Sequence, residues 1–245
     1  VLAGDLLVVN WDHEGDSFIV ALDAATGDER WRRPRDDERT SWATPLIVFD
    51  EKTQLAIVPG TERIRAYELA TGKVRWSCGG LGSNCVPCPV DADGTLILMS
   101  GHRQPGLVAI DYRGATGDLT GGPRVRWTLD KGTPYVPSPL LYGDTLYFLQ
   151  RNKNILSCHE PRTGKPHYDQ QRLGAIDGVY ASPVGAQDRV YIVGRNGVTC
   201  VLRRGPKFEV LATNRLEDTF DTSPALAGGE LYLRGRKHLY CVARD

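Results

Sequence analysis

Short stretches of alternating apolar and polar residues recur along this chain, and glycine, proline or aspartate bounds most of them. The stretch Ala21–Trp31, with the letters ALDAATGDERW, returns as Ala66–Trp76, as Ala109–Trp127 with eight inserted residues, and in altered form as Cys158–Tyr168. Each copy has strand-forming residues, a turn centred on Thr-Gly, and a second strand that ends in an aromatic residue. We predict a β-hairpin in each copy, with the glycine at φ > 0 and the aromatic ring packed on the neighbouring repeat.

A second repeated element lies upstream of each hairpin. It consists of a residue with a small side chain followed by a proline. The prolines of its five copies are Pro45, Pro89, Pro139, Pro183 and Pro224. Proline fits the first residue of a strand, where no important ladder hydrogen bond is lost. Each repeat is therefore predicted to contain four strands, A to D. Strand A begins at the proline, and strand D ends in the aromatic residue. Four antiparallel strands at a period of 40 to 50 residues are typical of a β-propeller blade.

The pattern predicts an all-β chain of four complete blades and two partial ones. The first blade begins with strand B at Val1–Asn10 and lacks strand A, and the last blade, Phe220–Ala243, stops after strand C. In the fifth blade the Thr-Gly-Trp motif is lost, and Phe208 is predicted to replace the tryptophan. We expect a single domain of residues 1–245, either part of a seven- or eight-bladed ring or an open or irregularly closed six-blade unit.

Composition agrees with such a domain. The chain has 41% apolar residues, 27 glycines and 15 prolines, which fits many short strands joined by turns. Thirty acidic residues balance 30 basic ones, so the molecule as a whole is not an evident nucleic-acid or membrane-surface binder. No apolar run approaches the ~18 residues of a transmembrane helix, and we see no signal peptide.

The Ser-Pro, Thr-Gly and Trp elements resemble the pyrroloquinoline-quinone-like (PQQ-like) propeller repeat. Quinoprotein alcohol dehydrogenases share that repeat with the lipoprotein of the bacterial outer-membrane assembly machinery and with uncharacterised secreted bacterial propellers. The resemblance covers essentially the whole chain, and it identifies a fold and not a function. It implies a bacterial protein of the periplasm or the exterior.

Quinoprotein chemistry is the alternative function that this resemblance raises. Those enzymes carry adjacent cysteines, calcium ligands and a catalytic aspartate, and none of these can be placed on this sequence residue by residue. The tryptophans Trp31, Trp76 and Trp127 belong to the repeat and are predicted to pack between blades. We therefore predict no cofactor, no metal and no catalytic residue, with a quinone-dependent oxidoreductase or the sensor domain of a larger protein as alternatives.

The six cysteines fall into two groups. Cys158, Cys200 and Cys241 are predicted to occupy a small buried position in strand C, which alanine holds in the other repeats. Cys78, Cys85 and Cys88 include a CxxC spacing but lack a fourth zinc ligand, which favours free thiols or one local disulfide. The charged run Arg32–Arg39 is predicted to be a solvated loop.

The repeat also predicts which residues share an end of the blades. The B-to-C turns carry mostly basic residues and the opposite turns mostly acidic ones, which predicts a basic face and an acidic face. Just before the proline anchors on the basic face stand four aromatic residues, and the nearby turns supply arginines. The predicted binding site consists of Trp42, Tyr135, Tyr180, Phe220, Arg151, Arg195 and Arg236.

We therefore predict a non-enzymatic propeller scaffold. Aromatic rings within a rim of arginine suit a protein segment, a carbohydrate or an anionic small ligand. The alternative for the same residues is structural, with the rings closing the hydrophobic centre and the arginines solvated. The sequence does not predict an oligomeric state.

Overall fold

The computed structural model describes residues 1–243 and is built of β-strands. The all-β class predicted from the sequence is confirmed. The chain divides into two compact units, Val1–Tyr135 and Val136–Asp245. Arg244 and Asp245, the last two residues of the predicted domain, lie outside the described residues. A single domain of residues 1–245 stays a prediction.

The first unit contains three sheets, numbered here in chain order. Sheet 1 has the order β1 (Leu2–Ala3), β2 (Leu6–Trp11), β3 (Phe18–Asp23) and β4 (Glu29–Pro34). Sheet 2 contains β5 (Leu46–Asp50), β6 (Thr53–Val58), β7 (Ile64–Glu68) and β8 (Val74–Cys78). Sheet 3 contains β9 (Val90–Asp91), β10 (Thr95–Ser100), β11 (Gly106–Asp111) and β13 (Val125–Leu129), and β12 (Gly117–Asp118) extends sheet 2. Neighbouring strands within each four-stranded repeat are antiparallel.

The second unit contains the other three sheets. Sheet 4 has β14 (Leu140–Tyr142), β15 (Thr145–Leu149), β16 (Ile155–His159) and β17 (Pro166–Arg172). Sheet 5 has β18 (Val184–Ala186), β19 (Arg189–Val193), β20 (Val198–Arg203) and β21 (Val210–Arg215). Sheet 6 has β22 (Ala225–Ala227), β23 (Glu230–Arg234) and β24 (Leu239–Val242). Within the described residues this last sheet has three strands, as predicted for the last blade.

The first sheet differs from the prediction, because it does have a strand A. The two-residue strand β1 pairs with β2 through Leu2 opposite Leu7 and Ala3 opposite Leu6. The backbone N–H of Val8 also donates to the carbonyl of Val1 at 2.8 Å. So short a strand has no proline anchor to reveal it, which is why the sequence pattern missed it.

The hairpin turns follow the predicted chemistry. The turn glycines Gly27, Gly72 and Gly164 have φ values of 80°, 68° and 73°, in the region that glycine enters without steric cost. In the first turn, the carboxylate of Asp23 accepts hydrogen bonds from the backbone N–H groups of Ala25 and Thr26, both at 2.9 Å. This carboxylate is a turn-forming group, as expected from its position.

The insertion in the third repeat folds onto its neighbour. Its strand β12 pairs in parallel with β8, with Gly117 opposite Trp76 and Asp118 opposite Ser77. Leu119 and Ala115 of the same segment are buried in the core between sheets 2 and 3. The insertion therefore covers the outer edge of sheet 2, which would otherwise present unpaired backbone groups.

Aromatic residues of strand D fill the space between sheets in the first unit. Trp31 packs with Tyr67 and Leu69 of sheet 2, and its Nε1–H donates to the carbonyl oxygen of Leu69 at 2.8 Å. Trp76 is 1% exposed and packs with Leu96 and the rest of the core that sheet 3 contributes. Burial of each such side chain contributes roughly 1.5–3 kcal/mol or more, since tryptophan removes a large apolar area from water.

The run Arg32–Arg39 is not a solvated loop, because two of its charged residues are buried. The Arg35 guanidinium forms two hydrogen bonds with the Asp12 carboxylate, at 2.7 and 2.9 Å, and both side chains are 0% exposed. Glu38 accepts hydrogen bonds from the backbone N–H groups of Glu62 and Arg63. These contacts satisfy the charges and tie the loop to the turns of sheets 1 and 2.

Serine hydroxyls join the innermost strands of the second unit. The Ser182 hydroxyl accepts a hydrogen bond from the Ser138 backbone N–H at 2.9 Å, and the Ser223 hydroxyl accepts one from the Ser182 N–H at 2.9 Å. The serine of the Ser-Pro element thus links consecutive sheets, and the strand begins directly after the proline. This pairing gives the hydroxyls of Ser182 and Ser223 a structural role.

Candidate functional site

The predicted aromatic residues fall into two sets that differ by one position relative to the proline anchors. Trp42 and Tyr180 lie three residues before their prolines, and they are 53% and 36% exposed. Tyr135 and Phe220 lie four residues before, together with the buried Cys85. Because neighbouring side chains of an extended segment point in opposite directions, a shift of one residue moves the ring from the surface to the interior.

The inward set packs in the protein interior. Phe220 is 1% exposed and belongs to a core with Ala181, Val193 and Leu233, so its ring cannot contact a ligand at this surface. Tyr135 is half-buried, and its ring lies 4.8 Å from that of His102, centroid to centroid.

Trp42 belongs to the first unit, where a rigid segment presents it. Its backbone N–H donates to the carbonyl of Cys85 at 2.8 Å, and the Cys85 N–H donates to the carbonyl of Thr40 at 3.2 Å. The preceding Ser41 donates its hydroxyl to the carbonyl of Pro59 at 2.7 Å. The exposed indole is therefore attached to backbone that is hydrogen-bonded on both sides.

Four residues of the second unit form a continuous polar cluster. The Arg195 guanidinium lies over the Tyr180 ring, 4.3 Å from its centroid, and its Nε–H donates to Asp221 Oδ1 at 2.5 Å. Arg236 donates to the other oxygen of Asp221, Oδ2, at 3.1 Å. One carboxylate thus holds two arginines, one of which stacks on an exposed ring.

Turn backbone fixes the positions of both arginines. The Arg195 N–H donates to the carbonyl of Gly178 at 3.0 Å, and the Arg236 N–H donates to the carbonyl of Thr219 at 3.1 Å. The buried carboxylate of Asp218 accepts hydrogen bonds from the N–H groups of Arg236, Lys237 and His238. These backbone and carboxylate contacts hold the cluster in place, which lowers the entropic cost of binding.

Arg151 lies in the neighbouring turn of the same unit. It is exposed and has a φ of 52°, in the left-handed region. The next residue, Asn152, accepts the Val179 N–H at 2.9 Å through its carbonyl oxygen and the Val136 N–H at 3.0 Å through its side chain. Because Val179 precedes Tyr180, these bonds connect the Arg151 turn to the Tyr180 segment.

The charges of the cluster reinforce one another. The hydrogen bond from Arg195 is the main reason that the pKa of Asp221 is lowered. The same bond raises the pKa of Arg195. Arg195 and Asp221 therefore both stay charged at physiological pH.

Asp221 is a candidate site residue that the sequence analysis missed. It lies three residues before Pro224, the position that Trp42 and Tyr180 hold before their own prolines. Counting back from each proline reveals this equivalence, whereas searching for aromatic residues selects Phe220 instead. A cavity of about 320 Å³ opens beside this aspartate, and its lining consists of Thr219, Asp221, Thr222, Arg234, Gly235 and Arg236.

The predicted basic face is not uniform between the units. At this end of the second unit, turns 150–154, 194–197 and 234–238 and loops 173–183 and 216–224 carry six basic and four acidic residues. At the corresponding end of the first unit, turns 12–17, 59–63 and 101–105 and loops 35–45, 79–89 and 130–135 carry five basic and eight acidic residues. A basic end is thus not found in the first unit.

The acidic residues of the opposite end are matched by arginines. Examples are Asp23 with Arg30, Asp93 with Arg113, Asp111 with Arg126 and Asp188 with Arg204. Such pairs cancel much of the negative charge that the sequence pattern predicted for that face.

Comparison with known proteins identifies the family. The family model described as outer membrane protein assembly factor BamB matches residues 15–245. This chain belongs to that family. The PQQ-like propeller repeat predicted from the sequence is thereby confirmed. No curated protein sequence matches the chain significantly.

Solved structures agree with the BamB-family fold. BamB from Moraxella catarrhalis aligns with a TM-score of 0.51 at 14% identity, over 97% of this chain and 79% of that one. The computationally designed Ika8 protein aligns with a TM-score of 0.71 at 11% identity, over 100% of this chain and 70% of that one. Quinohemoprotein alcohol dehydrogenase from Comamonas testosteroni aligns with a TM-score of 0.59 at 14% identity, over 88% of this chain and 42% of that one. Likeness at this level of identity shows the fold alone.

The residues present do not fit a quinone cofactor. Trp31 and Trp76 are 7% and 1% exposed and pack between sheets, so neither ring is free to lie beneath a quinone. The adjacent cysteine pair is also missing, since the closest cysteines, Cys85 and Cys88, are three positions apart. We derive no reaction through such a group.

The cysteines are free thiols in this BamB-family chain. Burial raises the pKa of Cys78 to about 11 and those of Cys85 and Cys158 to about 12, so these thiols stay protonated and weakly reactive. The predicted small position of strand C holds for Cys158, which is buried, but Cys241 is exposed. Cys200 is also buried, but it lies one residue before that position. In sheet 5 the residue opposite Tyr191 is Val201 and not Cys200.

Proposed function

We propose that this protein is a non-enzymatic scaffold that binds an acidic segment of a partner protein. The proposed binding surface, the Arg195 cluster, consists of Tyr180, Arg195, Asp221 and Arg236, with Arg151 in the adjoining turn. The observation that carries the proposal is the fixed arrangement of two arginines and an exposed ring around one carboxylate.

Carboxylate groups are the ligands that this arrangement fits. Arg236 is 64% exposed and Arg195 is 36% exposed, so each retains N–H donors that face solvent beyond those given to Asp221. Guanidinium groups bind carboxylates with two parallel hydrogen bonds, and tyrosine adds contact area at small entropic cost. An acidic peptide with an apolar or aromatic residue matches both properties.

The family supports a protein partner over a small ligand. The matching family model is described as an outer membrane protein assembly factor. Within residues 1–243, no helix has the length and apolar character that crossing a bilayer requires. From the family match alone we propose a bacterial envelope location, periplasmic or extracellular, which fractionation of the producing cells with marker enzymes tests.

Fluorescence anisotropy with a labelled glutamate-rich peptide that contains one tyrosine tests the binding proposal. The double variant Arg195→Ala/Arg236→Ala is expected to bind about tenfold or more weakly, since two charge-assisted contacts are lost. The matched control is Arg162→Ala/Lys165→Ala, which removes two positive charges from the exposed turn between β16 and β17, at the opposite end of the same unit. Equal weakening in both variants would assign the binding to net charge and contradict the proposal.

A single variant tests the role of the central carboxylate. Asp221→Asn removes the charge that holds both arginines, so we expect tighter binding of the acidic peptide and a steeper dependence on salt. If Asp221→Asn instead weakens binding as much as the double arginine variant, the carboxylate positions the arginines for the ligand and does not compete with it.

A further inference from the structure

Sheet 5 lacks the aromatic residue that the other four-stranded repeats carry in strand D. In sheets 1 to 4 a small residue of strand C lies opposite an aromatic residue, in the pairs Ala21 with Trp31, Ala66 with Trp76, Ala109 with Trp127 and Cys158 with Tyr168. In sheet 5 the corresponding pair is Val201 with Ala212.

Two features of the strand register establish this correspondence. Val201 lies opposite Tyr191, as Cys158 lies opposite Tyr147 in sheet 4. The register also shifts directly after Val201, as it does after the small residue in each of the other four sheets. Ala212 therefore stands where a tryptophan or tyrosine stands elsewhere.

Phe208 does not supply the missing ring. It lies before β21 and contacts the aromatic residue of the preceding sheet, Tyr168, at 5.5 Å between ring centroids in a T-shaped arrangement. It belongs to the core between sheets 4 and 5, whereas the Val201 and Ala212 pair lies outside that core. The prediction that Phe208 replaces the tryptophan is therefore wrong.

A cavity lies beside the Val201 and Ala212 pair. It has a volume of about 380 Å³, and its lining consists of Gln187, Asp188, Arg189, Val201, Arg203, Leu211 and Ala212. A second cavity of about 570 Å³ shares Gln187 with it and has Tyr191, Leu226 and Leu231 among its apolar residues. Both volumes lie in the range of ~300–1,000 Å³ that is usual for small organic ligands.

We propose that the cavity beside Val201 and Ala212 is a binding site for an aromatic ring supplied from outside the chain. The protein itself shows which group fits such a position, because indole and phenol rings occupy it in sheets 1 to 4. Val201 and Leu211 supply apolar contact, and Leu211 is 37% exposed without a ring to cover it. The guanidinium groups of Arg189 and Arg203 border the cavity and are suited to stacking on an aromatic face.

Titration with indole tests this site. Calorimetry measures the affinity, and the change in melting temperature on adding indole reports binding independently. Ala212→Trp supplies the missing ring from the chain itself, so we expect it to raise the melting temperature and to weaken indole binding by about tenfold or more. The control is Thr213→Trp, which adds the same ring one residue later, opposite Cys200 on the other side of the strand. It is expected to leave indole binding unchanged.

Ala212→Leu fills less of the cavity and is expected to weaken indole binding to an intermediate degree, which keeps the test valid if the tryptophan variant does not fold. Absence of indole binding to the natural protein overturns the proposal, as does equal binding to the natural protein and to Ala212→Leu.

A peptide with one tryptophan in an extended segment distinguishes the source of the ring. Binding of this peptide more tightly than indole assigns the site to the side chain of a partner protein. Equal affinity for both assigns it to a free aromatic molecule. In either case the proposal requires that Ala212→Leu bind the ligand more weakly than the natural protein does.

Discussion

The two units use the same repeat but stabilise and expose different parts of it. In the first unit, Trp31 and Trp76 fill the spaces between sheets, and a buried pair of Arg35 with Asp12 holds the loops. In the second unit, serine hydroxyls link the segments before the inner strands, and Arg195 and Arg236 are at the surface. The first unit thus buries an arginine to hold its loops, while the second leaves two arginines at the surface beside the exposed ring of Tyr180.

The tryptophans provide a way to follow the units separately. All five of them, Trp11, Trp31, Trp42, Trp76 and Trp127, lie in the first unit. Tryptophan fluorescence therefore reports the unfolding of the first unit, whereas circular dichroism reports strands of both. The predictions below use this difference.

The largest expected effect is the loss of an interior ring from the first unit. Trp76→Ala is expected to destabilise that unit by about 3–5 kcal/mol, since it removes a fully buried side chain and leaves a cavity. Tyr168→Ala in the second unit should cost less, because Tyr168 is only partly buried. Denaturant unfolding followed by fluorescence and circular dichroism measures both, and equal costs would remove this contrast between the units.

A similarly large effect is expected from the buried ion pair. Arg35→Ala leaves the Asp12 carboxylate buried without its partner, and removing one member of such a pair costs about 3–5 kcal/mol. The control is Arg32→Ala, which breaks an exposed pair with Glu29 and should change stability little. If Arg35→Ala unfolds at the same denaturant concentration as Arg32→Ala, the buried pair does not hold the first unit.

A smaller effect is expected from the serine links of the second unit. Ser182→Ala removes the acceptor of the Ser138 N–H and should cost about 1 kcal/mol. Hydrogen exchange of the Ser138 amide should become faster at the same time. Thr213→Ala, at an exposed position of β21, serves as the control, and unchanged exchange at Ser138 in the Ser182 variant argues against the link.

The smallest effect concerns the pH dependence of stability. Burial lowers the pKa of His159, partly opposed by Asp169. Below about pH 6.5 the unfolded chain then binds a proton more readily than the folded protein, so stability is complete above that pH and falls as the pH decreases toward the folded pKa. His159→Phe is expected to flatten this slope, which cannot exceed about 1.4 kcal/mol per pH unit for one proton. An unchanged slope in that variant would exclude His159 as its source.

Much of the fold follows from local patterns. Alternating residues, the Thr-Gly turns and the proline anchors predict the strands, because each depends on residues close together in the chain. The strand β1 and the lack of any replacement ring in sheet 5 were not predictable in this way. Strand β1 has no motif of its own, and the position of Ala212 depends on a pairing register that local sequence does not specify.

The candidate site was predicted in part. Tyr180, Arg151, Arg195 and Arg236 are surface residues of the same unit, as their places in the repeat suggested. Aromatic residue type alone also selects Phe220 and Tyr135, whereas distance from the proline separates both from Tyr180. Asp221 was overlooked, since a carboxylate in a basic region carries no signal until its two arginine partners are known.

The sequence by itself determined the repeat, its strand order and its turns, because hydrophobic periodicity, glycine and proline act over a few residues. Only the tertiary structure decided which side chains are inside. Arg35 and Asp12 are buried because each meets the other across 23 positions of the chain, and Phe220 is buried because the backbone before the proline alternates between surface and interior. Burial depends on contacts between distant residues, and a difference of one residue in register reverses it.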